Sequence, residues 1–276
     1  MSRSAVGECT RTRHCRLVAY GARVLTSAQT IARGAELAIV PSAVPLATCS
    51  TWLALIDDAY RCTAVAPSSD LVPESSSFRL RAVAGLSVVD VWSALSSHVR
   101  ERCVRVLGPW LAIDADQCWV RRQYTPESAP PRHRPHSWHQ DGALGFEFAR
   151  NGDAAIHDDA LLRVVTCWIA LAPCGVDAPG LELVTDRVDH MLSPTQLADS
   201  AVEQRWPTSR RTQPAMEAGD ALVFGGEVLH RTHVSAAMTQ TRTSIELRCF
   251  RADAIPDRIA RDEFVAVSCG SGRAAG

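Results

Sequence analysis

Apolar and polar residues alternate in two different ways along this chain. Between residues 86 and 107, apolar side chains recur every three or four positions while arginines lie off that stripe. This pattern predicts an amphipathic helix, which Gly108 and Pro109 end. The segment 43–62 shows the same spacing after an early proline and predicts another helix. The serine- and proline-rich segment 65–78 is expected to be a loop.

After residue 115, short segments with the period of two that is typical of β-strands become dominant. The predicted strands span 117–124, 137–141, 161–172, 181–185, 220–224, 227–234 and 241–250. Turn-forming residues separate most of these segments. A helix is predicted among them at 194–206, with Ser193 as its cap and Pro194 at its first position.

This order of elements predicts a single domain, 1–276, that is mainly β with flanking α-helices, a sandwich or barrel. The predicted parts are a loose N-terminal arm (1–14), a helix-rich part (about 15–110), a β-rich core (about 115–252) and a C-terminal tail (253–276). The N-terminus has no apolar core typical of a secretory signal, and no apolar run has the length of a membrane span.

Charge and composition exclude several classes of function. The chain has 29 basic and 30 acidic residues and a net charge of −1, which argues against a nucleic-acid partner. Every basic residue is an arginine, so chemistry that needs a lysine amine is excluded. The ten cysteines form no C-x-x-C pair. They are interpreted mostly as buried free thiols in a reducing compartment, and a cytoplasmic location is expected.

The stretch 137–142, SWHQDG, contains a histidine and an aspartate two positions apart. Residues two apart on a strand point to the same side, so His139 and Asp141 can face one point in space. An imidazole and a carboxylate are two of the three ligands of the two-histidine, one-carboxylate metal site. The pattern H-x-D is common by chance, so a second histidine is required.

The segment 219–244, GDALVFGGEVLHRTHVSAAMTQTRTS, supplies that histidine at His230. Twelve residues later, Arg242 and Ser244 share one strand face, where a guanidinium and a hydroxyl suit the far carboxylate of a small dicarboxylate. Two other histidine sets are poorer candidates. His233 would face away from His230, and the prolines among His133, His136 and His139 exclude a helical zinc site.

Taken together, WHQDG, VVTCWIALAPCGVDAPGLELV, GDALVFGGEVLHRT and RTS resemble the phytanoyl-CoA dioxygenase family of Fe(II)/2-oxoglutarate oxygenases. The resemblance covers roughly residues 115–252. It implies a double-stranded β-helix (jelly-roll, cupin-like) core with Fe(II), 2-oxoglutarate and O₂ as cofactors. It also implies His139, Asp141 and His230 as iron ligands, and Arg242 with Ser244 as the 2-oxoglutarate site.

The function implied is hydroxylation of an unactivated C–H bond of a small metabolite, with release of succinate and CO₂. A metabolite of a biosynthetic pathway is the default expectation. Desaturation, ring formation and epoxidation remain open. Gln123 and Trp168 are further candidates for the cofactor site. The segment 142–160 is a candidate lid. The candidate substrate contacts are Phe146, Phe148, Arg150 and Arg248; Arg248 could instead pair with Glu246.

Two alternatives differ in what they need from these residues. A cupin-like metal enzyme that does not use 2-oxoglutarate would keep the three ligands but have no use for Arg242 and Ser244. A non-catalytic ligand-binding member of the fold would have no need to keep all three metal ligands together with Arg242. A small-molecule substrate is expected, without a membrane, and no protein partner can be inferred from the sequence.

Overall fold

The structure of the chain is a computed structural model that describes residues 29–30, 36–65, 71–143, 161–255 and 263–268. The predicted arm at 1–14 and nearly all of the predicted lid at 142–160 lie outside these residues. No helix in the described ranges is long and apolar enough to cross a bilayer.

Four helices occur in the described residues. They are α1 (Leu46–Val65), α2 (Val88–Ala94), α3 (Ser97–Leu107) and α4 (Asp199–Arg205). The helix predicted at 43–62 is confirmed as α1. The helix predicted at 86–107 forms two helices, because Leu95 is extended (φ −64°, ψ 141°) and ends α2. Its apolar stripe is nevertheless buried along both helices, and Gly108 ends α3 with a φ of 91°.

The helix predicted at 194–206 is shorter than the pattern indicated. The Ser193 hydroxyl donates to Gln196 Oε1 at 3.0 Å and closes a local turn. Ala198 is then extended (φ −62°, ψ 140°), so α4 begins only at Asp199. Ser193 therefore closes a turn ahead of the helix instead of capping it.

The strands account for most of the remaining regular structure. They are β1 (Gln29–Thr30), β2 (Leu37–Val40), β3 (Leu71–Val72), β4 (Ser77–Arg79), β5 (Leu111–Asp114), β6 (Trp119–Gln123), β7 (His139–Gln140), β8 (Val164–Ala170), β9 (Gly180–Val184), β10 (Arg211–Thr212), β11 (Ala221–Gly225), β12 (Leu229–His233), β13 (Arg242–Arg251) and β14 (Phe264–Val267). All seven predicted strands are confirmed, each shifted or shortened by a few residues.

The strands form two antiparallel sheets. The major sheet runs in the order β1-β2-β11-β8-β13-β6-β4-β3, and β5 joins it between β13 and β14. The minor sheet runs β10-β9-β12-β7. Apolar residues of both sheets, among them Trp168 and Phe224 of the major and Leu181 and Leu183 of the minor, pack in one cluster. The two sheets thus face each other across a shared interior, which confirms the predicted double-stranded β-helix.

Several short strands lie where the sequence predicted none, among them β5 and β10. The predicted loop at 65–78 contains β3 and the start of β4. The predicted tail at 253–276 contributes β14, which pairs with β5. The part predicted to be helix-rich includes β1 to β4. Each of these strands has at most four residues, which is too few for a period of two to be recognised in the sequence.

The helices α1, α2 and α3 cover the outer face of the major sheet with a large apolar cluster. Cys103 of α3, Cys167 of β8 and Cys249 of β13 lie in this cluster, with their sulfur atoms within 4.8 Å of one another. All seven cysteines of the described residues are free and six are buried, as expected of buried free thiols.

The outer face of the minor sheet holds a group of charges that we call the outer cluster: Arg211, Glu182 and Arg231. The buried Glu182 carboxylate lies 3.0 Å from Arg211 Nη1 and 2.7 Å from Arg231 Nη2. Arg231 Nη1 also reaches Asp199 of α4 at 2.8 Å. The outer cluster therefore ties α4 to the sheet.

Candidate metal centre

The minor sheet places two of the three predicted ligands side by side. His139 of β7 and His230 of β12 are direct cross-strand partners, and their ring centroids lie 4.2 Å apart. The strand predicted at 137–141 is shorter, because Asp141 already begins a 3₁₀ turn, Asp141–Ala143. The Asp141 side chain still points back toward both rings.

Two glycines allow this turn to lie against the start of β12. The Gly142 amide donates to the Gly226 carbonyl at 2.9 Å. A Cβ at Gly142 would lie 2.9 Å from that carbonyl oxygen, and one at Gly226 would lie 2.6 Å from Val164 Cγ1. Neither position can hold a side chain without displacing backbone, so both glycines bring the two ligand-bearing segments together.

The three ligand atoms form one compact set. Asp141 Oδ1 lies 3.9 Å from His139 Nε2 and 3.9 Å from His230 Nε2. The Nδ1 of His139 donates to Ser137 O at 2.7 Å, and the Nδ1 of His230 donates to Val228 O at 3.0 Å. These bonds set the tautomers, so the lone pairs of both Nε2 atoms point toward Asp141. Two imidazole nitrogens and a carboxylate oxygen fit a divalent metal such as Fe(II).

The Asp141 carboxylate is held by a different residue at each oxygen. Thr166 Oγ1 donates to Oδ2, and Arg248 Nη2 lies 2.7 Å from Oδ1. Burial by itself would raise the pKa of Asp141. Arg248, the two histidines and the Thr166 hydroxyl oppose burial, and they hold that pKa well below its usual range. The carboxylate is therefore ionised, as a metal ligand must be.

Beside the triad lies a second group of charges, which we call the inner cluster: Arg121, Glu246 and Arg248. Arg121 Nε donates to Glu246 Oε1 at 2.7 Å, and Arg248 Nη2 lies 3.5 Å from Glu246 Oε2. Arg121 Nη1 also donates to His136 Nε2 at 2.6 Å. Arg121 and burial lower the pKa of His136 well below its usual value, so this imidazole is a neutral acceptor.

Arg242 differs from the other arginines of the interior. Its side chain is fully buried, Nη1 donates to Ser244 Oγ at 3.1 Å, and its guanidinium lies 4.7 Å from the centre of the Trp168 ring. No residue in the described part of the chain bonds to its Nε or Nη2. Burial lowers the pKa of Arg242 to about 10, so it stays protonated at neutral pH. A buried cation with unpaired donors fits an anionic ligand.

The two further cofactor candidates differ in their surroundings. Trp168 lies below Arg242, and it also lines a cavity beside the triad. The cavity is lined by Arg121, His136, His139, Thr166, Trp168, Leu181, Phe224, His230, Thr232, Glu246 and Arg248. Gln123 is the cross-strand partner of Arg242, but its amide bonds to Ser75 O and His133 Nε2. Trp168 thus lies between the Arg242 guanidinium and the triad, whereas the Gln123 amide is bonded to Ser75 and His133.

His233 and His133, the poorer candidates from the sequence, contact other residues. His233 faces away from His230 and bonds to Gln213 at 3.3 Å. His133 bonds to Ser76 Oγ at 3.1 Å and does not join a metal cluster among the described residues. The three substrate candidates of the predicted lid, Phe146, Phe148 and Arg150, lie outside the described residues.

Sequence reasoning missed part of what surrounds the triad. It noted Arg248 as a partner of Glu246 or of substrate, but Arg248 Nη2 lies closer to Asp141 (2.7 Å) than to Glu246 (3.5 Å). It did not assign Thr166, the hydroxyl in the otherwise apolar segment VVTCWIA of β8. A hydroxyl in a fully buried strand is a signal that could have been used, because it needs a partner there.

Comparisons with known proteins identify the family and the fold of this chain. The sequence model of phytanoyl-CoA dioxygenase (PhyH) matches residues 37–239. The iron-bound structure of EctD from S. alaskensis superposes with a TM-score of 0.59 at 13% identity, over 79% of this chain and 74% of that chain. The epimerase SnoN from nogalamycin biosynthesis, with Fe³⁺, alpha ketoglutarate and nogalamycin RO, gives 0.52 at 16% identity, over 86% and 92%. The carbocyclase SnoK gives 0.51 at 14% identity, over 85% and 92%. No curated protein matches the sequence.

Proposed function

The chain belongs to the phytanoyl-CoA dioxygenase family, and from that premise we propose that it is a non-haem Fe(II)/2-oxoglutarate-dependent oxygenase. The observation that supports this most directly is the combination of the His139–Asp141–His230 triad with the unneutralised Arg242. A metal enzyme without 2-oxoglutarate would have no use for a buried guanidinium at that position. The EctD structure that binds 2-oxoglutarate and 5-hydroxyectoine has the same fold at 13% identity.

In this proposal each residue has a defined task. His139, Asp141 and His230 would hold Fe(II). Arg242 and the Ser244 hydroxyl bind the distal carboxylate of 2-oxoglutarate, and Trp168 forms the wall between the two ends. When bound, iron and 2-oxoglutarate reduce O₂ with release of succinate and CO₂ and supply the oxidant for a C–H bond. Most of the side chains that line the cavity are buried, and they would limit the access of bulk water to the reaction.

We propose hydroxylation of a small molecule as the outcome. Asp141 occupies the third ligand position, which favours hydroxylation over transfer of a halide. Epimerases and carbocyclases occur among the structures with this fold, so ring formation and epimerisation are the alternative outcomes. The near-neutral charge of −1 favours neither a nucleic acid nor an anionic membrane as partner. The free cysteines agree with a reducing compartment such as the cytoplasm.

An anaerobic titration tests the cofactor pair. We expect Fe(II) and 2-oxoglutarate, added to metal-free protein, to give the visible charge-transfer band of an iron-bound 2-oxo acid. His139→Ala and His230→Ala should abolish the band, whereas His233→Ala should keep it, because His233 faces away from the site. A folded wild-type protein that binds metal and gives no band would point to the enzyme without 2-oxoglutarate.

A further inference from the structure

The Asp141 carboxylate has two neighbours that bind different oxygens. Thr166 and Arg248 are cross-strand partners on β8 and β13, and both point into the interior. Thr166 donates to Oδ2, the oxygen that is not shared with the histidines. Arg248 Nη2 lies 2.7 Å from Oδ1, which is also the oxygen 3.9 Å from each histidine Nε2. Arg248 therefore holds the oxygen that a metal would use.

A guanidinium and a divalent metal at one carboxylate oxygen repel each other. Both are cations, and the site is buried, so solvent screens that repulsion poorly. The Arg248 side chain is only 6% exposed. A metal at Oδ1 consequently requires Arg248 to give up this contact within the interior.

Glu246 offers Arg248 a second position. Its Oε2 lies 3.5 Å from Arg248 Nη2, so this carboxylate is already within ion-pair distance of the guanidinium. Arg121 occupies the other oxygen of Glu246 at 2.7 Å, so the carboxylate keeps one oxygen for Arg248. The inner cluster can thus accept Arg248 without leaving its charge unpaired.

We propose that Arg248 is a positioning residue that competes with the metal: it holds Oδ1 of Asp141 when the site has no metal and shifts to Glu246 when the metal binds. The inference rests on the proposed function, because it assumes that the triad binds a divalent metal. It assigns opposite effects to the two neighbours of Asp141. Thr166 orients the ligand and favours the metal, whereas Arg248 opposes it.

The test is calorimetric titration of metal-free protein with Mn(II), without 2-oxoglutarate. We expect Arg248→Met to bind Mn(II) about tenfold more tightly than wild type. Thr166→Val should bind it about tenfold more weakly, since loss of an orienting hydrogen bond usually weakens metal binding 10–100-fold. Arg248→Met that binds Mn(II) equally or more weakly would overturn the competition.

Arg121→Met separates competition from the general effect of removing a positive charge. Arg121 belongs to the same cluster but donates to Glu246, Ser77 and His136, and among the described residues it makes no bond to Asp141. Competition predicts a gain of less than threefold for Arg121→Met. Equal gains in Mn(II) affinity for Arg248→Met and Arg121→Met would mean that any nearby positive charge has the same effect, which would overturn the proposal.

A thermal melt gives a second measure. Arg248→Met leaves Asp141 without its cation, so we expect a lower melting temperature without metal and a larger rise with Mn(II) than in wild type. If Arg248→Met does not fold, Glu246→Gln decides. It removes the second position and should weaken Mn(II) binding several-fold, and unchanged or tighter binding would overturn the proposal. Wild type that binds no Mn(II) would instead contradict the proposed function.

Discussion

The inner and outer clusters have the same composition and different consequences. Each consists of a buried glutamate between two arginines, with Glu246 in the interior and Glu182 on the outer face of the minor sheet. The shortest arginine–glutamate contact is 2.7 Å in both. From the outer cluster, Arg231 leads on to the exposed Asp199 of α4. From the inner cluster, Arg248 leads on to the buried Asp141.

This difference shows that a buried arginine–glutamate group does not by itself identify a site. The outer cluster links two pieces of the fold, and its arginine side chains are 11% (Arg211) and 20% (Arg231) exposed. The inner cluster ends on a residue that lies 3.9 Å from two histidine nitrogens. What each arginine contacts at its far side decides whether the group is structural or acts on a ligand.

Each cluster contacts one further aspartate, Asp141 for the inner cluster and Asp199 for the outer one. Removing these two carboxylates should give the largest difference in metal binding. Asp141→Ala removes one of three ligands and should weaken Mn(II) binding about 1,000-fold, while it also leaves Arg248 buried without its main partner. Asp199→Ala removes an exposed carboxylate and should leave Mn(II) binding unchanged. Calorimetric titration of both variants measures the contrast, and retained metal binding in Asp141→Ala would contradict the assigned ligand set.

Arg242 sharpens the comparison, because it is a buried arginine that belongs to neither cluster. Arg242→Ala should weaken 2-oxoglutarate binding about 100-fold, which corresponds to two charge-assisted hydrogen bonds, and should change Mn(II) affinity less than threefold. Arg211→Ala in the outer cluster is the matched control and should change neither. Equal loss of metal and 2-oxoglutarate binding in Arg242→Ala would mean that Arg242 supports the fold instead of the cosubstrate.

The outer cluster should matter for stability alone. Arg231→Ala leaves Glu182 with one arginine, and it also removes the guanidinium that lies 4.7 Å from the centre of the Trp138 ring. Because the Arg231 side chain is 20% exposed, we expect a loss of only about 1–2 kcal/mol in the free energy of unfolding. Urea denaturation measures that loss, and altered Mn(II) affinity in this variant would break the distinction between the clusters.

The smallest expected effect concerns pH. The folded protein keeps His136 neutral because Arg121 and burial lower its pKa, whereas the unfolded chain binds a proton near pH 6.5. The unfolded state thus binds more protons below that pH, and stability falls as pH falls, by at most about 1.4 kcal/mol per pH unit. His136→Gln should flatten the decline between pH 6.5 and 5. Identical slopes in urea unfolding of the two proteins would contradict this account.

The sequence predicted those features that local patterns specify. A period of two gave the main strands, and the spacing of apolar residues gave α1 and the buried stripe of α2 and α3. The residues of the triad lie on strand segments or directly after them, so their candidates could be named from the H-x-D motif and one later histidine. The family match and the shared fold confirm the resemblance that these motifs suggested.

What the sequence could not predict depends on contacts between remote segments. The contact of Arg248 with Asp141 follows from the register of β13 against β8 and from the turn after β7. Neither is a property of a single segment. The same holds for β5 and β14, which are short and stabilised by each other. The break between α2 and α3 leaves the helical spacing intact, so periodicity did not reveal it.

The pairing of His139 with His230 has a consequence for local unfolding at the edge of the minor sheet. β7 has only two residues and lies at the edge of the minor sheet, so few ladder bonds oppose its separation from β12. A metal held by both histidines would act as a cross-link between positions about 90 residues apart, and closing so long a loop restricts the chain as a disulfide does. Amide hydrogen exchange of β7 should therefore slow when metal is bound, and this edge would change from an early point of local opening into one of the last.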